Sequence, residues 1–201
     1  MSRFVEESIA KAGLLPVLAA HRAGDLEAVR AAASSLRAAD LLVLGAVADT
    51  VRAEDVGPTV HLHERASAGS PLPEVLWVEP VKGASELDLL REVAIARIGA
   101  APGARIGIDW SQCGMELAQV ALGFGASDLR GPITRKSGLP IYEDEKLKVK
   151  GQGMVELRSI KKREISALVT HAGRLPVFVD DEEAARGTRH ADESVREVAN
   201  V

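Results

Sequence analysis

The sequence predicts an α/β fold built on a parallel sheet or barrel, with a helical segment in front of it. Two observations lead there. Residues 2–53 carry apolar positions at helical spacing and no strand signal. From residue 56 onward, short apolar runs that read as buried strands alternate with helical stretches across short connections, the pattern of parallel α/β architecture.

Taken in order, Val5 and Ile9, then Leu14, Leu15, Val17 and Leu18, give the first apolar faces, and Gly13 interrupts them. Asp25 is placed to cap a helix over "LEAVRAAASSL". The segment "ADLLVLGAVADTVRAE" puts Leu42, Val43, Val47 and Val51 on adjoining faces of a further helix, mostly core positions, and Gly57-Pro58 ends it. "TVHLH" alternates as a strand does, "RASAGSPLPE" (65–74) reads as a loop, and "VLWVEPV" is short enough for a buried strand. Ser85, with Asp88 three residues on, opens the helix "SELDLLREVAIARIGAA". "RIGIDW" reads as a strand, "GMELAQVALGFGA" as a helix closed by Gly123 and Gly125, and "SDLRGPI" as a strand. Residues 137–153 suggest a hairpin or ordered loop whose "EDEKLKVK" charges are solvated. "KREISALVTHAGR" is a helix and "LPVFVD" the last strand. Residues 181–201, charged and almost without large apolar groups, are expected to be a flexible tail. The organisation is therefore one α/β domain over 1–180, with helices in 1–55 and the sheet or barrel in 56–180.

Composition narrows the function classes. Net charge is −4 and aromatic content 3%, so neither a basic face for nucleic acid or anionic lipid nor a base-stacking platform is expected. The N-terminal residues lack the apolar core of a signal peptide and no apolar run reaches membrane-spanning length, which makes the expectation a cytoplasmic protein. One cysteine supports no intramolecular disulfide and no cysteine-ligated cluster. "GFGASD" and "KGQG" lack the full glycine fingerprint of a nucleotide loop, and the first closes a helix instead of opening one.

Three blocks resemble the radical SAM enzymes of the futalosine route to menaquinone, aminofutalosine synthase and dehypoxanthine futalosine cyclase, and the related FO synthase subunits of deazaflavin synthesis. The first is "DLLVLGAVADTVRAEDVGPTVHLH". The second runs from "SELDLLREVAIARI" through "IDWSQCGMELAQVALGFGASDLRGPI", and the third is "ISALVTHAGRLPVFVD". The second is the specific one: Trp110, Gly114, Leu117-Ala118-Gln119, Ala121-Leu122, Gly125-Ala126, Asp128-Leu129 and Gly131 fall in register. The resemblance implies a (β/α) barrel, but an eight-stranded barrel typically takes about 250 residues. The expectation is thus a partial or shrunken barrel of about five or six strands. Where the family pattern continues after "TVHLH" into three closely spaced cysteines, this chain has "ERASAGSPLP". Without those thiolates no [4Fe–4S] cluster is expected, and radical chemistry by this chain is not expected either.

In barrel folds the chemistry sits at the C-terminal ends of strands. Asp109 ends "RIGID", Glu79 closes "VLWVE", and His63 closes "TVHLH"; on neighbouring parallel strands they would share one mouth. Asp109 could equally cap the next helix, and Glu79 could stand in solvent before Pro80. His61 and His63 alternate to one face, so with a carboxylate they could hold zinc or iron(II), the candidate metals. Cys113 is a nucleophile only if a helix N-terminus lowers its pKa, and otherwise a small hydrophobe. Trp110, Gln112, Asp128 and Arg130 are the candidate ligand-binding residues. In the resembled family the segment around Asp128 and Gly131 shapes the pocket floor, and Arg130 either pairs with Asp109 or meets an anionic ligand.

Two functions follow. One is a cluster-free, small-metabolite-binding or accessory subunit in quinone or deazaflavin cofactor synthesis. The other is an acid–base or metal-assisted lyase or hydrolase using Asp109, Glu79 and a histidine. A sheet edge left by a partial barrel needs cover, for which a homodimer or partner subunit is the expected arrangement.

Overall fold

The computed structural model describes residues 3–64, 75–134 and 160–179. The loop expected over 65–74, the hairpin over 137–153 and the tail over 181–201 lie outside these residues. Five helices open the chain: α1 (Arg3–Lys11), α2 (Leu15–Arg22), α3 (Leu26–Ala31), α4 (Ala33–Ala38) and α5 (Leu41–Asp55). Asp25 caps α3 as expected, its carboxylate accepting from the Ala28 amide at 2.9 Å. Asp40 does the same for α5 through Leu42 and Val43. Helix α5 carries Leu44, Val47, Ala48 and Val51 into the core. Leu42 is not among them: it is 75% exposed, because the buried stripe of α5 runs through 44, 47, 48 and 51 and residue 42 falls off it.

Strands β1 (Thr59–Glu64), β2 (Val75–Val78), β3 (Arg105–Asp109), β4 (Asp128–Gly131) and β7 (Leu175–Phe178) form one sheet in the order β2-β3-β4-β1-β7. All four pairings are parallel. Two short strands, β5 (Ile133–Thr134) and β6 (Ile160–Lys161), pair separately. Between strands lie α6 (Glu86–Gly99), α7 (Trp110–Cys113), α8 (Met115–Ala121), a 3-10 turn over Leu122–Phe124, and α9 (Lys162–His171). Ser85 and Asp88 form the expected reciprocal cap on α6. A short helix, α7, stands where residues 110–113 were not expected to be helical, ahead of the helix expected from Gly114. Gly114, at φ +87°, separates α7 from α8, and Trp110 belongs to the helix and not to the strand. No helix among the described residues is long and apolar enough to cross a membrane.

The α/β fold with a parallel sheet is as expected; the strand order differs from a sequential barrel. Strands β2, β3 and β4 follow one another, but β1 lies between β4 and β7, and β2 and β7 end the sheet. The two sheet faces are chemically unlike. Side chains alternate along each strand and register partners share a face. One face therefore carries Val60, Leu62, Val78, Ile106, Ile108, Leu129 and Phe178. All seven join a single apolar cluster with residues of α1, α2, α5, α6, α8 and α9. None of the opposite face's residues belongs to it. Parallel strands usually read as apolar on both sides; here one side is packed by helices and the other mixes polar groups with Val75, Trp77, Leu175 and Val177.

Arg97 of α6 shows how the core admits one charge. Its side chain is fully buried, and Nε donates to the Gly125 carbonyl at 2.8 Å, one Nη to the Ala104 carbonyl and the other to Ser127 Oγ at 3.0 Å. Burial lowers its pKa to about 10, which leaves it charged at neutral pH. The guanidinium thereby ties down the loops that lead into β3 and β4.

Candidate functional site

The polar face is set out by register. Gly107 lies beside Asp128, which lies beside His61; one step toward the C-terminal ends, Asp109 lies beside Arg130, which lies beside His63. Arg105 sits one step below on β3, and Trp77 reaches in from β2 over Gly107. A Cβ on Gly107 would stand 2.5 Å from the Trp77 ring, so only glycine leaves the indole its seat. From there Trp77 meets the edge of His63, with ring centroids 5.4 Å apart and planes at 83°. Arg130 stacks over the indole at 4.3 Å. Side chains from strands three places apart thus converge over the middle of the sheet.

Two acid–base clusters result. Asp128, completely buried, accepts from His63 Nε2 at 2.7 Å, from Arg105 Nε at 3.2 Å and again from an Arg105 Nη, and from Ser127 Oγ at 2.8 Å. Burial alone would raise its pKa, but the hydrogen bonds from His63 and Arg105 and the guanidinium charge outweigh it and hold the carboxyl below its ordinary value. It is an acceptor-only carboxylate, so His63 Nε2 carries a proton toward it. The other imidazole nitrogen, Nδ1, is buried without a hydrogen-bond partner among the described residues. In the second cluster Asp109 accepts from the Ser111 amide at 2.9 Å and hydroxyl at 2.6 Å, and from Arg130 Nε at 3.0 Å. Asp109 is therefore both the cap of α7 and the partner of Arg130.

Of the residues singled out from sequence, Asp109, Asp128, Arg130, His61 and His63 share this face. The others stand elsewhere. Glu79 is exposed beyond the end of β2 and makes no ion pair among the described residues. Gln112 is exposed on α7. Trp110 points to the opposite side of the sheet, where it packs against Gly131 as part of the apolar core. Cys113 closes the short α7 and donates to the Asp109 carbonyl at 3.3 Å. Burial, with the Asp109 charge, pushes its thiol up to about 11, opposite to what a nucleophile at neutral pH needs. Iodoacetamide at pH 7.5 is accordingly expected to label native Cys113 at least tenfold more slowly than the same residue in urea, read by mass spectrometry. Among the described residues no three histidine, cysteine or carboxylate groups come together as a metal-ligand set. His63 Nε2 is already committed to Asp128.

Arg105, Trp77 and Ser127 were not picked out from sequence. The first was legible, since Arg105, Gly107 and Asp109 alternate along "RIGID" and must share a face. Trp77 and Ser127 required the strand order.

No protein-family model matches the chain, and no curated protein matches it.

Proposed function

We propose that the polar face of this sheet binds a small metabolite, in a cluster-free relative of the radical SAM enzymes of menaquinone and deazaflavin synthesis that acts as a binding or accessory subunit. The observation that carries the binding part is the division of the sheet. Helices pack one face, and the other gathers Trp77, Arg105, Arg130, Asp109, Asp128 and two histidines over its centre and C-terminal ends. Ligands of parallel α/β sheets bind outside the carboxyl ends of the strands, and Asp109, Arg130 and His63 lie at or next to those ends. Helices on one side and polar side chains on the other is also the layout of a barrel wall. On this reading the sheet is a rearranged partial barrel that kept the β2-β3-β4 run.

A second reading, acid–base catalysis, has one specific support. The Asp128–His63 pair orients an imidazole with the far nitrogen unengaged among the described residues. Glu79, expected to help, stands apart from it.

Native mass spectrometry of the full chain, purified without chelators, tests the binding reading. The expected result is an added mass of a few hundred daltons that is retained under gentle conditions and lost on denaturation. A bare-chain mass, together with Trp77 fluorescence that no candidate metabolite alters, would overturn it. An added mass matching zinc or iron would move the reading to metal-assisted chemistry at His61 and His63.

A further inference from the structure

Resting on the binding reading, we propose that His63 Nδ1 and the outer nitrogens of Arg130 form a subsite for a hydroxyl group next to a carboxylate, the recognition element of a 2-hydroxy acid. Three observations compose it. Asp128 orients the ring: its oxygens accept from four directions and can only receive, so His63 Nε2, 2.7 Å away and also 3.3 Å from an Arg105 Nη, carries a proton, and in the neutral imidazole Nδ1 presents a lone pair. That lone pair is buried and lacks a partner among the described residues, a state native proteins rarely leave unexplained. It calls for a donor, which a hydroxyl supplies.

The neighbouring group supplies the complement. Arg130 is the register partner of His63 on β4, so its side chain leaves the same face one strand away. Its Nε is used by Asp109, and its two Nη groups make no hydrogen bond among the described residues. They call for an acceptor, and a carboxylate matches a guanidinium edge. Arg130 keeps 19% of its side chain exposed, comparable to Arg105 at 21%, so its guanidinium is open to a ligand from solvent. A lone pair beside free guanidinium N–H groups selects a ligand having O–H beside O⁻. A simple carboxylate fills half of it, and a diol lacks the charge.

Lactate, propionate and 1,2-propanediol are matched probes, since the second lacks the hydroxyl and the third the carboxylate. The measurement is the ¹⁵N resonance of His63 Nδ1 in the full chain, titrated with each. Lactate is expected to move it with an apparent Kd at least tenfold below that of propionate or the diol. Arg130→Lys is expected to weaken lactate toward the propionate value, while its circular dichroism and urea midpoint report whether the fold is kept. Equal responses to the three probes, or an Nδ1 resonance that lactate leaves unmoved, would overturn the subsite. If Arg130→Lys fails to fold, the lactate-to-propionate ratio in the unmodified chain decides alone. A metabolite retained in native mass spectrometry alongside an unresponsive Nδ1 would refute this subsite and leave the binding face standing, whereas a bare chain with no optical response removes both.

Discussion

Replacing Asp128 with alanine is expected to lower the unfolding free energy by about 4 kcal/mol, because removing one partner of a buried ionic cluster strands the others. Asp128 is completely buried, and His63, equally buried, would lose the carboxylate it meets at 2.7 Å and keep only the longer contact to Arg105 at 3.3 Å in the site. Arg105 retains some exposure and would recover part of its loss to solvent. Asp128→Asn keeps the volume and some acceptor capacity, so its cost is expected nearer about 2 kcal/mol. The two variants also differ from the parent in acid. The folded-state pKa of Asp128 is depressed below the unfolded value near about 3.9. Its contribution is thus fully present above that pH and is lost as pH falls through the lower folded value. Urea titrations between pH 7 and pH 3 are expected to show a fall in stability for the parent below about pH 4 that is shallower in Asp128→Asn. Equal acid slopes in the two proteins would show that the cluster does not hold Asp128 ionised.

Gly131→Ala is expected to be comparably damaging, for a steric reason. A Cβ at 131 would stand 2.1 Å from one atom of the Trp110 ring and 2.4 Å from two more. Trp110 is in the core, so neither the indole nor the central strand β4 can yield without opening the packing between them. Displacing a buried tryptophan or overpacking a core costs about 3 kcal/mol, roughly 1–5 depending on how the site relaxes. Gly99→Ala is the control: nothing lies within 4 Å of its Cβ position, and the helix end tolerates alanine, so a change within about 0.5 kcal/mol is expected. The urea midpoint measures both, and a red-shifted tryptophan emission in folded Gly131→Ala would report the exposed indole. A Gly131→Ala protein as stable as the control would mean that Trp110 does not lie against β4.

The two glycine seats explain much of what sequence reasoning could and could not reach. Gly107 and Gly131 each receive a tryptophan, on opposite faces of the sheet. Trp77 and Trp110 look alike in sequence, each near a strand's C-terminal end, yet one belongs to the polar site and the other to the core. Alternation from Asp109 sends residue 110 to the helix-packed side, and α7 begins at that residue. For Trp77 the face is set by its pairing with Gly107, a relation between residues 30 positions apart that no local pattern reveals. The position of Glu79 at a strand end was read correctly, and it stands in solvent there, the second of the two readings its place before Pro80 allowed.

Local chemistry determined the elements. Apolar periodicity, the caps at Asp25 and Ser85, and the Gly57-Pro58 stop depend on neighbours within a few residues, so they can be read from the chain alone. The single cysteine likewise set the expectation of no cysteine-ligated cluster without reference to any fold. Alternation in "TVHLH" also assigned His61 and His63 to a common face, and the same rule applied to "RIGID" joins Arg105 to Asp109. Only the tertiary structure decided which of these faces is the same one. Strand order and register are long-range choices, made by the total burial of the apolar face and not by any strand's own residues. Placing β4 between β3 and β1 puts Asp128 where both His63 and Arg105 reach it. That single placement turns scattered polar residues into a candidate site.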